Sequence, residues 1–414
     1  MVCARKESVT VWWPGIRRCF SWLAAGVLGL TIPAASSAQQ TSVEPLEYRS
    51  AHLLMYSDLP ADEARTMLDE IERMLELVSG YYGRKPVGII QIYAARDLKH
   101  WPAKALAAMD EGGKSRINAG LGRTISVTAR TGRTSTTQAT VYAPADRRTL
   151  LHESVHGYCR QTFGGVGPVW YAEGMAEMGQ YWKKDDPDVA APDEVLAFLK
   201  KHRPKSVSEV VESDQFTGDS WQAYATRWAL CHLLANNPNY SAKFRPFGIA
   251  LMQRQPASFE KTYGSVTQQL ELEYQLFLTD VCSGYRADLC AWDWKTKFTP
   301  LKSGTTMTKR VEARRGWQAT GVSVVAGAEY RFETAGQWSV VPGNSTDANG
   351  QLDGRGRLVG AILKDGRLGA EFELGSMGKF TAGENGDWLV RCRDDWGAIA
   401  NNEGAITLKV LSAP

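Results

Sequence analysis

The chain has 414 residues, with 48 Lys plus Arg against 45 Asp plus Glu, a formal charge of +3 and 43% hydrophobic residues. Basic residues are scattered among acidic ones, so no charged run argues for a nucleic-acid partner. The length allows two domains, and no stretch beyond the N-terminal region is apolar enough to span a bilayer.

Residues 1–38 read as a secretory signal peptide. Arg17-Arg18 precede the apolar run Cys19 to Ala35, and Ser36-Ser37-Ala38 offers small residues for cleavage. This implies a periplasmic or extracellular chain. Pro60 suits the first turn of a helix over Asp62 to Ser79, where Ala64, Met67, Leu68, Ile71, Leu75 and Val78 have helical spacing. Val87 to Tyr93 reads as a buried strand, and residues 111–123, glycine-rich and basic, as a mobile loop. The extended stretch Thr137 to Tyr142 is read as a sheet edge along which a peptide could lie by strand addition.

The next segment carries the chemistry. Asp146 is a plausible N-cap for a helix that runs through Leu150-Leu151 and stops at Gly164-Gly165. Within it stands His152-Glu153-Ser154-Val155-His156. Positions i and i+4 share a helix face, so both imidazoles can bind one metal ion, with Glu153 beside them within reach of a water. The alternative is an amphipathic helix whose histidines are satisfied by neighbours. A second helix carries Glu173 and Glu177, which are also i and i+4, so spacing alone does not choose a third ligand. Zinc held by two imidazoles and one carboxylate keeps a fourth position open, as a hydrolytic site requires. Downstream, Tyr224 lies on a predicted helix, either as a donor to a developing oxyanion or as a core aromatic beside Trp228 and Leu230. Tyr171 and His232 are weaker candidates; a lone histidine in an apolar helix is more often structural.

His152-Glu153-x-x-His156 followed by Trp170-x-x-Glu173-Gly174 resembles the gluzincin metallopeptidases, the group of thermolysin and aminopeptidase N. The resemblance implies His152, His156 and Glu173 as zinc ligands and Glu153 as general base. It also places Glu177 where an acidic residue holds a zinc-bound histidine by its far nitrogen. The run from Ser57 to about Met252 is similar to secreted peptidase-MA-like bacterial proteins. The expected fold is an α+β metallopeptidase domain over residues 39–295, its zinc-binding helices packed with a twisted sheet. Peptides or proteins, glycosylated or not, would be its substrates.

Lys183 to Asp193 reads as a connection. Near residue 300 helical periodicity ends; a linker over 296–310 leads to an all-β sandwich domain over 311–414, with strands at Tyr330–Phe332, Glu371–Leu374 and Ile406–Val410. Gly321 to Trp338 and Asp394 to Gly404 resemble the PA-I-type galactophilic lectins. That resemblance implies calcium ligands at the Asp394 carboxylate, the Ala398 carbonyl, and the Asn401 and Asn402 side chains. The alternative is a Gly/Asn-rich turn. The sugar-contacting residues of that family are not found in Gly343 to Arg357, so a glycan ligand and a purely structural role both stay open. Of the five cysteines after residue 38, Cys282 and Cys290 are expected to pair, a Cys159–Cys231 bridge is a second candidate, and Cys392 is left free. The rival to an enzyme is a calcium-dependent carbohydrate-binding protein whose zinc domain is structural or inactive.

Overall fold

The computed structural model describes residues 43–132, 134–181, 191–212 and 221–412. The signal segment and residues 183–190 of the expected connection lie outside the described residues. The protein is mixed α/β, and contacts divide it into two units. Described residues through 181, with 221–224 and 249–255, form the first; 191–212, 225–248 and 256–412 form the second.

In the first unit, β1 (Leu46–Arg49), β2 (Leu53–Ser57) and α1 (Ala61–Tyr82) lead to β3 (Ile90–Ala95). Short helices α2 (Ala103–Ala107) and α3 (Glu111–Asn118) precede the hairpin of β4 (Arg123–Thr131) and β5 (Thr134–Pro144), followed by α4 (Arg147–Phe163) and α5 (Val169–Gln180). The sheet order is β1-β2-β3-β5-β4, with β2, β3 and β5 parallel and β4 antiparallel to β5. Two expectations are corrected here. The Thr137–Tyr142 stretch lies in β5, inside the sheet between β3 and β4, so the edges are β1 and, next to β5, β4. Residues 111–118 are helical, with Asp110 capping through its carboxylate on the Gly113 amide at 3.2 Å. The glycines there serve close packing: a Cβ on Gly113 would stand 2.4 Å from the Tyr142 ring. That ring stacks on Tyr93, and Tyr93 on Tyr56, each pair at 5.3 Å. The register aligns these residues across three parallel strands. The strand expected from Val87 starts only at Ile90, after Gly88 turns the chain at positive φ.

Helix α4 begins and ends as its sequence indicates. Asp146 accepts from the Thr149 amide at 2.9 Å, a cap worth about 1 kcal/mol. Gly164 closes the helix in the left-handed region at φ 89°, where a side chain would be strained. The helix packs on β4, β5, α1 and α5, and nearly every residue from Leu150 to Gln161 is buried. An amphipathic stripe would bury one face only. Here polar residues are buried too, and each must find a partner.

The second unit contains α6 (Asp193–Lys201), α7 (Val207–Val211), all but the first turn of α8 (Trp221–Asn236), most of α9 (Ser241–Met252), α10 (Phe259–Tyr263) and α11 (Thr267–Asp280). Ten strands follow: β6 (Thr299–Pro300), β7 (Thr306–Glu312), β8 (Gln318–Val324), β9 (Glu329–Val341), β10 (Asn344–Thr346), β11 (Leu358–Lys364), β12 (Arg367–Leu368), β13 (Phe372–Glu373), β14 (Met377–Thr381) and β15 (Gly386–Cys392). The last strand is β16 (Glu403–Ser412). One sheet is ordered β10-β9-β16-β7 with β14 on β9; the other runs β12-β11-β15-β8-β6 with β13 on β11. Their shared core takes Phe332, Trp338 and Ile406 from the first and Val322, Trp388 and Val390 from the second. The stretch 296–310 holds β6 and the start of β7.

All five described cysteines are free, so neither expected bridge forms. The Cys282 thiol donates to the Leu196 carbonyl at 3.1 Å, whereas Cys290 is buried against Gly316. Cys159 belongs to the first unit and Cys231 to the second, and burial pushes the Cys159 thiol up to about 12. Among the described residues no helix is long and apolar enough to cross a membrane.

Candidate metal centre

Helices α4 and α5 bring His152, His156 and Glu173 together, all nearly inaccessible, at 6%, 5% and 1% exposure. His152 Nε2 lies 3.1 Å from Glu173 Oε2 and 3.2 Å from His156 Nε2; the third edge, His156 Nε2 to Glu173 Oε2, is 3.5 Å. A tetrahedral ion with bonds of about 2.0–2.1 Å separates its ligands by about 3.3–3.4 Å, so this triangle has the right size. Glu173 Oε1 is buried with no hydrogen-bond partner, a second indication that the donor set suits a cation.

Glu177, one turn beyond Glu173, addresses the other side of the imidazole: its Oε1 is 3.0 Å from His152 Nδ1. The contact has ion-pair distance without hydrogen-bond alignment, and a carboxylate on this side of the ring leaves Nε2 open to a metal ion. Burial pulls the His152 imidazole down, but its hydrogen bonds and charge contacts with Glu173 and Glu177 outweigh this and hold it well above its usual range. Glu173 is likewise pushed up by burial, yet the His156 charge and hydrogen bonds to both histidines hold it below the usual carboxylate range.

Glu153 is 3% exposed and turns toward the start of β4. Thr124 Oγ1 donates to Glu153 Oε2 at 2.6 Å and stands 2.9 Å from its backbone carbonyl. Sequence reading missed Thr124 and Gly122, since nothing local to them signals an acid that lies a helix away. Tyr224 sets its ring edge-on to His152, with centroids 6.0 Å apart. Tyr171 does not join the group: its hydroxyl shares a 2.6 Å hydrogen bond with Tyr82. His232 stacks on Phe277 at 5.5 Å and packs by Trp228, inside the second unit, as a structural histidine would.

The Asp394 loop joins β15 to β16. Both carboxylate oxygens of Asp394 and Oδ1 of Asn402 are buried without a well-aligned partner, while Asn401 is exposed. Burial pushes the Asp394 carboxyl up. Trp396, in the same loop, packs on Tyr285 at 5.0 Å and carries the Arg391 guanidinium at 4.3 Å from its ring centre.

No family model matches the chain, and no curated protein matches it. Among solved structures, one described as "EclA N-terminal domain; PllA-like lectin" aligns over 26% of this chain and 96% of its own, at 15% identity and a TM-score of 0.22. At that score the likeness says nothing about what this chain binds.

Proposed function

We propose that the chain is a secreted zinc metallopeptidase. The observation that carries this reading is the buried triangle of His152, His156 and Glu173, sized for a tetrahedral ion, with a separate carboxylate, Glu153, on the next residue of the same helix. Zinc so held would polarise a carbonyl and acidify a water. Glu153 accepts the proton from the attacking water and passes it to the leaving amine. Tyr224, beside His152, is the candidate donor to the oxygen on which charge develops. β4, an edge strand of the sheet and the one that contacts α4, supports docking of an extended peptide by strand addition.

The test is elemental analysis and peptide hydrolysis on the purified chain without its first 38 residues. Wild type and Glu153→Ala should each hold one zinc, and only wild type should cleave a broad peptide library. His156→Ala should lose the metal. Equal inertness of wild type and Glu153→Ala would end the enzyme reading.

A second reading has its own support in the orphaned buried oxygens of Asp394 and Asn402. Hard oxygen donors suit calcium, and the chain would then be a calcium-dependent carbohydrate-binding protein whose zinc domain is structural or inactive. Calcium uptake lost in Asp394→Ala, with glycan binding lost alongside it and no hydrolysis by wild type, would favour this reading.

A further inference from the structure

Gly122, just before β4, and Thr124, its second residue, both close on the Glu153 side chain. The contacts themselves place both against Glu153 of α4: the Thr124 side chain by its hydroxyl and Gly122 by the space where a Cβ would stand. At 124 the hydroxyl has one proton and two acceptors within reach, the Glu153 carboxylate at 2.6 Å and its backbone carbonyl at 2.9 Å. The shorter contact falls in the range of charge-assisted O–H···O⁻ bonds, so the proton goes to the carboxylate. At 122 there is no side chain, and a Cβ there would lie 2.5 Å from both Cγ and Oε1 of Glu153. That is far inside van der Waals contact, and the part able to give way is the flexible carboxylate. Thr124 and Glu153 are each 3% exposed, so bulk water does not replace the hydroxyl if it is removed.

We propose that the start of β4 is a clamp for the base: the Thr124 hydroxyl holds the Glu153 carboxylate in one rotamer, and Gly122 provides the space which that rotamer occupies. The inference rests on the reading of Glu153 as the general base. Thr124 is a positioning residue, acting through Glu153 and touching neither substrate nor metal. The clamp also gives β4 a double use. The strand that offers a free edge to an extended peptide sets the position of the group that works on it, so the two are held by one backbone.

The experiment compares wild type, Thr124→Val, Thr124→Ser and Gly122→Ala as purified protein, by metal content, by kcat and KM on a cleaved peptide, and by crystal structures of the metal-loaded forms. Valine keeps the shape and removes the donor; serine keeps the donor and removes the methyl. All variants should retain one metal per chain, because the three ligands are untouched. Thr124→Val and Gly122→Ala should lower kcat about ten- to a hundred-fold with KM nearly unchanged, the scale of a misplaced catalytic group. Thr124→Ser should recover most of it. In the crystals Glu153 should leave its wild-type rotamer in Thr124→Val and Gly122→Ala and keep it in Thr124→Ser. The clamp is overturned if Thr124→Val retains full kcat, if serine falls as far as valine, or if the valine variant loses its metal. If wild type itself cleaves nothing, the peptidase reading fails on its own account. The rotamers then decide the clamp: a carboxylate displaced only in Thr124→Val and Gly122→Ala sustains it, and one that stays put in all four proteins overturns it.

Discussion

Glu173 and Glu177 both turn toward His152, but to different nitrogens. Glu173 Oε2 approaches Nε2 of both histidines, at 3.1 and 3.5 Å, while Glu177 Oε1 meets His152 Nδ1 at 3.0 Å. Spacing places the two carboxylates on one face of α5 and is silent about which stands nearer both imidazoles. The choice depends on how α5 lies against α4, which no local pattern encodes. The arrangement predicts different losses. Glu173→Ala should leave no tightly bound metal. Glu177→Ala should keep the stoichiometry and weaken affinity about ten- to a hundred-fold, the usual effect of removing a carboxylate behind a ligating histidine. Competition against a chromophoric chelator measures both. Equal losses in the two variants would show that the two acids share the ion.

Among the elements, α3 shows how glycine misleads. Gly112 and Gly113 suggest mobility in the sequence, yet they belong to a helix pressed on β5. The missing Cβ at 113 is the condition for that approach, since the Tyr142 ring lies 2.4 Å from where it would be. Tyr142 cannot retreat easily, because it stacks on Tyr93 with ring planes 4° apart. Gly113→Ala should therefore destabilise the protein by about 1–3 kcal/mol, the ordinary cost of overpacking, although alanine is the better helix former. Urea denaturation decides it, and a stabilised variant would mean the helix shifts freely. The ends of α4 were legible for the opposite reason. An N-cap and a left-handed C-cap are made by residues adjacent in sequence, so Asp146 and Gly164 mark them without tertiary help.

Over the whole molecule, stability should respond to metal and to acid through separate groups. An ion that binds only the folded first unit stabilises it by about 4 kcal/mol at a thousand times its Kd. Tm should accordingly fall on chelation in wild type and stay unchanged in His156→Ala. The acid response should include Glu72 on α1, which accepts from the Ser50 hydroxyl at 2.6 Å and from the His52 amide at 2.7 Å, with His52 Nδ1 at 2.9 Å. Burial pushes its carboxyl up, but those hydrogen bonds prevail and lower it from 4.5. The unfolded chain thus takes up this proton first as pH falls. The contribution of Glu72 is complete above pH 4.5 and is lost as pH drops through the lower folded value. Tm profiles of wild type and Glu72→Gln should converge in acid and separate above pH 4.5; parallel profiles would contradict the assignment.

By itself the sequence determined what can be written within a dozen or so residues: the two histidines and Glu153 on one helix, the caps that bound it, and the carboxylate pair on the next. These follow from helical periodicity and capping, which are local. Tertiary structure alone decided which carboxylate faces both imidazoles, that β4 and not β5 is an edge strand, and that Thr124 and Gly122 meet Glu153. It also left the cysteines apart. Each of these turns on strand order or helix packing between segments distant in the chain. Such pairings are set by the burial of whole faces, and a residue such as Thr124 carries no mark of them until the sheet and α4 meet.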